Sequence, residues 1–395
     1  MNVRGWLTLS MLVLTIGCVT TQDVPTIPPV QVVPSLNVER VAAALPSELA
    51  DRNGWAQDIL ATLEILELPR DVKTVAAVMA VLEQESGFNP NPTVPGLNKL
   101  VRERMNKYAS KLGPLGPPLM EKLLEGKAPG QSRSFYQRID LLKTEQDLDR
   151  LFRDILTYYS DKFPVSFATA NLLGEAFTAR GFEDLNPITT AGSMQVSVRY
   201  AMQVARDHGK DPNQVREEIY SRRGGLYYGV SRLLGYQAGY NKPIYRFADY
   251  NAGFFASRNA ALQAQVGRLI GQELIPDGDL LLYDKEGRAL ERDSNTLKAL
   301  LSFRARFAPQ LTDGQVRRDA SKEKQLEFEQ TELYKAIKSQ YQKQFQETPD
   351  YAHLPRVTIS SPKLKSDKST AWFARAVNAR YQKFYDRLVK SLSQS

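Results

Sequence analysis

The chain has 395 residues, 42% hydrophobic and 24% charged, which is ordinary for a globular protein and sufficient for one large or two modest domains. Its net charge of +8 and pI near 9.3 allow nucleic acid, anionic lipid or an acidic glycan as partner. One cysteine excludes a disulfide framework, and two histidines with no HExxH or cysteine cluster argue against a zinc site, so neither a metal nor a cofactor is expected.

At the N-terminus Arg4 precedes an apolar run from Trp6 to Ile16, too short to span a bilayer and laid out as a secretory signal. The run ends Leu14-Thr15-Ile16-Gly17-Cys18, which resembles the lipobox of bacterial lipoproteins. The resemblance implies a signal over residues 1–17 and an acylated Cys18 that anchors the chain to a membrane. Val19 stands where inner-membrane retention usually calls for aspartate. By resemblance to sorted Gram-negative lipoproteins, the expected address is therefore the periplasmic face of the outer membrane, which removes nucleic acid as a partner. Pro25, Pro28, Pro29 and Pro34 make residues 18–45 read as a tether.

Helical patterns then dominate. They cover Ser47 to about Leu66, Asp71 to Glu85, Lys99 to Lys111, Thr144 to Lys162, Met194 to His208, Pro212 to Tyr236 and Ala256 to Leu274. Thr144 with Asp147 reads as a capping box. Residues 91–188 are polar, punctuated by Gly and Pro, and read as an insertion in a domain spanning 46–275. Residues 276–395 form a basic helical extension with long patterns at Glu327–Phe345 and Ala371–Leu388, and a protein partner could meet it. In the second of these, Trp372, Phe373, Val377 and Tyr381 recur at helical spacing, which is most simply core packing. Strand signals are confined to Leu280–Tyr283, followed by a turn at Asp284-Lys285-Glu286-Gly287, and to Val357–Ser360. The fold class is mainly α with few short strands.

The Asp71 helix delivers Glu85 into the turn Ser86-Gly87-Phe88-Asn89-Pro90. Glu85 follows Leu82 by three and Val78 by seven, so it extends the apolar stripe, where its charged form is disfavoured and it could carry a proton. Glu83 points to the other side and cannot pair with Glu85 across one sugar. A helix-end glutamate alone is more simply structural, a cap or a solvated turn; two later motifs change the balance. Ala191-Gly192-Ser193-Met194-Gln195 leads into a helix, and Asp249-Tyr250-Asn251-Ala252-Gly253 places a tyrosine and an amide in a loop between helices.

In that order the three motifs resemble the lysozyme-like lytic transglycosylases, the soluble and membrane-bound murein transglycosylases related to goose-type lysozyme. Their pattern is Glu-Ser at a helix end, then Gly-Leu-Met-Gln, then Ala-Tyr-Asn-Ala-Gly, and Gly225 to Leu234 is similar to their intervening helix. The resemblance covers about 70–90 and 189–267. It implies a lysozyme-like helical domain that cleaves the MurNAc-β-1,4-GlcNAc bond of peptidoglycan strands, leaving a 1,6-anhydro product. Carried over by position, Glu85 would be acid and then base, and Ser86 would orient it or touch the sugar. Gln195 and Asn251 would bind acetamido groups, Tyr250 would hydrogen-bond near Glu85 or stabilise the intermediate, and Met194 would line the saccharide wall. The plain readings are core packing for Met194 and a helix cap for Gln195. Three departures stand out: 107 positions separate Glu85 from Gly192, Ser193 replaces leucine, and Asp249 replaces alanine. Asp249 could act as a second carboxylate that positions water, giving a hydrolytic muramidase. A non-catalytic murein-binding envelope lipoprotein is the further alternative.

Overall fold

Asp71, extended at φ −92° and ψ 170°, accepts a hydrogen bond from the Thr74 amide at 2.8 Å and starts the helix on which the molecule is organised. This helix, α3 (Val72–Glu85), buries every residue from Val75 to Leu82. The expected apolar stripe is thus an apolar cylinder, as befits a helix enclosed on all sides. In the computed structural model the described residues are 36–111, 113–162, 186–284, 287–359 and 368–393. The signal, Cys18 and most of the tether lie outside them.

Sixteen α-helices and four two-residue strands occur among the described residues. Before α3 come α1 (Val38–Ala44) and α2 (Arg52–Ile65). The tether reading fails at its end: Asn37 caps α1, which buries Val41, Ala42 and Ala44. Helix α2 begins at Arg52 and not Ser47, because Asp51 accepts from the Gly54 amide at 3.0 Å.

Helices α4 (Leu97–Lys111), α5 (Gly116–Leu124), α6 (Phe135–Asp140) and α7 (Glu145–Lys162) surround a small core of Leu97, Leu124, Phe135, Ile139 and Leu151. Its neck is closed where the Val94 amide meets the Lys143 carbonyl at 2.7 Å and Thr93 bridges Thr144. The capping box at Thr144 and Asp147 forms in both directions, at 2.9 and 3.2 Å.

The stretch expected as one helix from Met194 is first a hairpin, β1 (Thr190–Ala191) with β2 (Val196–Ser197), and α8 starts only at Val198 (Val198–Asp207). The next pattern divides at Ser221, whose hydroxyl caps Gly224, into α9 (Pro212–Glu218) and α10 (Arg222–Leu234). Helix α11 (Pro243–Ala252) contains Tyr250 and Asn251 in its last turn, so they are not in a loop. Helix α12 (Ala256–Ile270) stops at Gly271 in the left-handed region.

Helices α12, α13 (Asn295–Phe307), α14 (Asp313–Ala320) and α15 (Glu332–Phe345) share a second core. A 3-10 turn at Leu326–Gln330 precedes Thr331, which caps α15, so the pattern from Glu327 is broken in two. Leu280–Tyr283 forms no strand beyond a bridge from Tyr283 to Ala289. Residues 285–286 of the expected turn and Ser360 of the expected strand lie outside the description. Thr358–Ile359 (β3) pairs with Lys368–Ser369 (β4). The chain then returns to the first core as α16 (Thr370–Leu392), with Phe373, Val377, Tyr381, Phe384 and Leu388 packed with α3, and Trp372 left 42% exposed. The extension therefore supplies a wall of the α3 core.

Buried Glu323 ties the second core together, accepting from the Leu280 and Leu281 amides, Tyr283 Oη and Asn259 Nδ2. Burial raises its carboxyl to about 7 from 4.5, against the opposing hydrogen bonds of Tyr283 and Leu280. Between those values the folded chain holds a proton that the unfolded chain has lost. This contribution to stability is therefore complete below about 4.5 and disappears as pH rises through about 7. Urea melts near pH 5 and near pH 8 are expected to show the decline, and Glu323→Gln is expected to flatten it.

Candidate active site

Helix α3 ends at Ser86, and the backbone then turns through Gly87 and Phe88, both at positive φ. Phe88 is locked edge-on between Trp55 at 5.6 Å and Phe384 at 6.2 Å, which fixes the path of the turn. Glu85, in the last helical turn, is half-buried. Glu83 lies toward α16 and pairs with Lys383 at 3.0 Å and Arg380 at 3.5 Å, consistent with its expected separation from Glu85.

The three motifs meet at the hairpin. Ser86 Oγ donates to the Ser193 carbonyl at 2.7 Å, and Tyr250 Oη donates to the Met194 carbonyl at 2.8 Å. Two adjacent carbonyls of one turn thus hold the end of α3 and the end of α11. Gly192 makes that turn, at φ +77°, and a Cβ there would meet the Ile219 carbonyl oxygen at 2.2 Å, so only glycine fits. Burial, and secondarily the charge of Glu85, push the Tyr250 phenol well above its ordinary range. It stays a proton donor beside the glutamate.

The other residues read from the sequence occupy less expected positions. Met194 is fully buried against Gly229 and is core, not an open saccharide wall. Gln195 adopts φ +48° and donates from Nε2 to Glu145 at 3.1 Å and the Gly192 carbonyl at 3.3 Å, while Thr190 Oγ1 donates to its Oε1 at 3.1 Å. Its amide is turned toward α7, not presented to a ligand. Asn251 is exposed, and its Oδ1 accepts from Thr370 at 3.4 Å.

Asp249 is 1% exposed, and its carboxylate accepts from Tyr240 Oη at 2.6 Å, Tyr236 Oη at 3.0 Å and the Ser257 amide at 2.7 Å. It does the work of a missing cap, since Phe255, the N-cap of α12, has no side-chain acceptor. A carboxylate so enclosed has no face for the water-positioning role, and that expectation is corrected. Burial raises its pKa, opposed by these donors.

Two neighbours escaped the sequence reading. Glu145, the first residue of α7, is buried and brings the insertion onto Gln195. Arg232 lies three residues beyond Gly229 on α10, with its guanidinium 3.9 Å above the Phe254 ring and 5.6 Å from the Tyr200 ring. The spacing Gly225, Gly229, Arg232 was the available signal, because close packing of Gly229 on Met194 fixes which face Arg232 shares. A cavity of about 450 Å³ lies elsewhere, between α2 and α10, lined by Asp58, Thr62, Arg223 and Tyr228. Both carboxylates in its lining are paired, Asp58 with Arg222 and Arg223 and Glu218 with Lys210. No helix of the described residues is long and apolar enough to cross a membrane.

Comparison with known proteins adds kinship and no activity. The family model described as protein of unknown function (DUF1615) matches residues 48–387. The uncharacterized protein YaiW of Escherichia coli (strain K12) is 35% identical over 342 residues, covering 86% of this chain and 87% of that relative. No solved structure matches the chain.

Proposed function

On the premise that the chain belongs to the DUF1615 family, we propose that it is a lysozyme-like lytic transglycosylase acting on peptidoglycan strands, as a lipoprotein held by Cys18 at the periplasmic face of the outer membrane. The observation that supports this reading is the anchoring of Ser86 and Tyr250 on the adjacent carbonyls of Ser193 and Met194, with the Tyr250 phenol in the field of Glu85. One carboxyl beside one protonated phenol suits substrate-assisted cleavage better than a two-carboxylate mechanism.

In that chemistry Glu85 donates its proton to the leaving glycosidic oxygen. The C1–O bond breaks as the sugar's own acetamido carbonyl bonds to C1. The negative end of the α3 dipole favours a neutral carboxyl at the start of this step. Ionised Glu85 then takes the proton from the C6 hydroxyl, whose oxygen displaces the acetamido group and closes the 1,6-anhydro bridge. No water enters, and Glu85 ends protonated as it began. The C6 oxygen belongs to the bound sugar, so its attack avoids the entropic cost of recruiting a second molecule. Tyr250, anchored on Met194, is oriented to support the charge that develops.

The burial of Asp249 speaks against the hydrolytic alternative built on it. The non-catalytic alternative has one observation in its favour, the engagement of the Gln195 amide by Glu145. Incubation of residues 19–395 with purified peptidoglycan separates them: soluble glycan fragments are expected, whereas sedimentation with intact peptidoglycan would leave only the binding reading.

A further inference from the structure

Arg232 is a half-buried cation with no ion-pair partner among the described residues. Its one hydrogen bond runs from Nη2 to the backbone carbonyl of Asp249 at 3.2 Å, because the Asp249 carboxylate is occupied by Tyr236, Tyr240 and the Ser257 amide. Among the described residues Arg232 Nε and Nη1 have no hydrogen-bond partner, and neither is fully buried. The ring of Phe254 supports one face of the guanidinium and Tyr200 stands beside it, itself fixed by a 2.9 Å hydrogen bond to Ser231. Tyr250 feels the charges of both Glu85 and Arg232, and Arg232 is tied to the residue before Tyr250 through the Asp249 carbonyl.

A helix-end arginine can serve only the helix dipole, but solvent then normally covers its face. Here the plane is stacked on aromatics, and Nε and Nη1, on opposite sides of the guanidinium, remain as donors that a negatively charged oxygen can engage. A neutral chitin-type sugar offers such a group only uncharged hydroxyl and acetamido oxygens, which pair with it more weakly than a carboxylate does. Resting on the reading of Glu85 as the cleavage site, we propose that Arg232 is a specificity residue that binds a free carboxylate on the sugar next to the scissile bond. The lactyl carboxylate of muramic residues is free only where the stem peptide has been removed. The preferred substrate is therefore the peptide-stripped stretches of peptidoglycan strands.

The test measures binding to the full soluble chain by calorimetry at low salt, in the Glu85→Gln background so that ligands survive. Three probes of equal length are compared: chitotetraose, a peptide-stripped GlcNAc-MurNAc tetrasaccharide, and the same tetrasaccharide bearing stem peptides. The stripped tetrasaccharide is expected to bind about 10-fold or more tighter than chitotetraose, with the advantage shrinking as salt rises. Arg232→Gln should bring the two to parity without weakening chitotetraose, and Arg232→Lys should retain part of the advantage. A merely structural arginine would change all three affinities together and leave their ratios intact, which would overturn the proposal while leaving the cleavage site standing. Tightest binding to the peptide-bearing probe would also overturn it, since the anion would then belong to the peptide. Failure of all three to bind would overturn both this assignment and the reading on which it rests.

Discussion

Glu85→Gln is expected to lower the release of peptidoglycan fragments by about 10³-fold or more while leaving the fold and glycan binding intact. Glutamine keeps the size and hydrogen-bonding reach of the side chain but can neither deliver nor accept the proton. Both halves of the reaction use that proton, so the loss of roughly 4 kcal/mol of transition-state stabilisation falls on kcat. Glu85 is half-buried at a helix end, outside the apolar cylinder formed by Val75 to Leu82, so the exchange disturbs little packing. Glu83→Gln is the matched control. It removes the ion pairs with Lys383 and Arg380, on the opposite side of the same turn, and should leave turnover within about twofold because those partners are surface-accessible. Equal losses in the two variants would mean that neither carboxyl is chemical.

Asp249→Ala is expected to act in the opposite way, on stability and not on chemistry. The substitution strands two half-buried phenols, Tyr236 and Tyr240, and removes the side-chain acceptor of the Ser257 amide at the start of α12. Three unmet donors in a largely buried site cost about 3 kcal/mol together, a drop of roughly 3–5 °C in Tm for a chain of this size. Activity per folded molecule should persist. Loss of activity with unchanged melting would instead restore Asp249 as a reacting carboxylate.

The contrast between these two acids shows what could be read in advance. The place of Glu85 at the end of α3 was legible because its neighbours repeat at helical spacing and Asp71 is a strong cap, both local properties. The Thr144 capping box and the buried stripe Phe373, Val377 and Tyr381 were legible for the same reason. Asp249 was misread because its partners lie 8 to 13 positions away, on segments whose approach depends on how α10 and α12 pack. The hairpin at Thr190–Ser197 was missed because it is held less by its two-residue strands than by Ser86, 107 positions from Ser193. Gln195 likewise meets Glu145 across 50 positions, and no local pattern announces that contact. The return of α16 to α3 is the largest instance: the extension's periodicity predicted a buried face without saying what would cover it.

The central claim is that a single glutamate cleaves the glycan without water. It is tested most directly by the mass spectrum of chain ends released from purified peptidoglycan in water labelled with heavy oxygen. The account predicts 1,6-anhydro ends free of the label; reducing ends that carry it would contradict it.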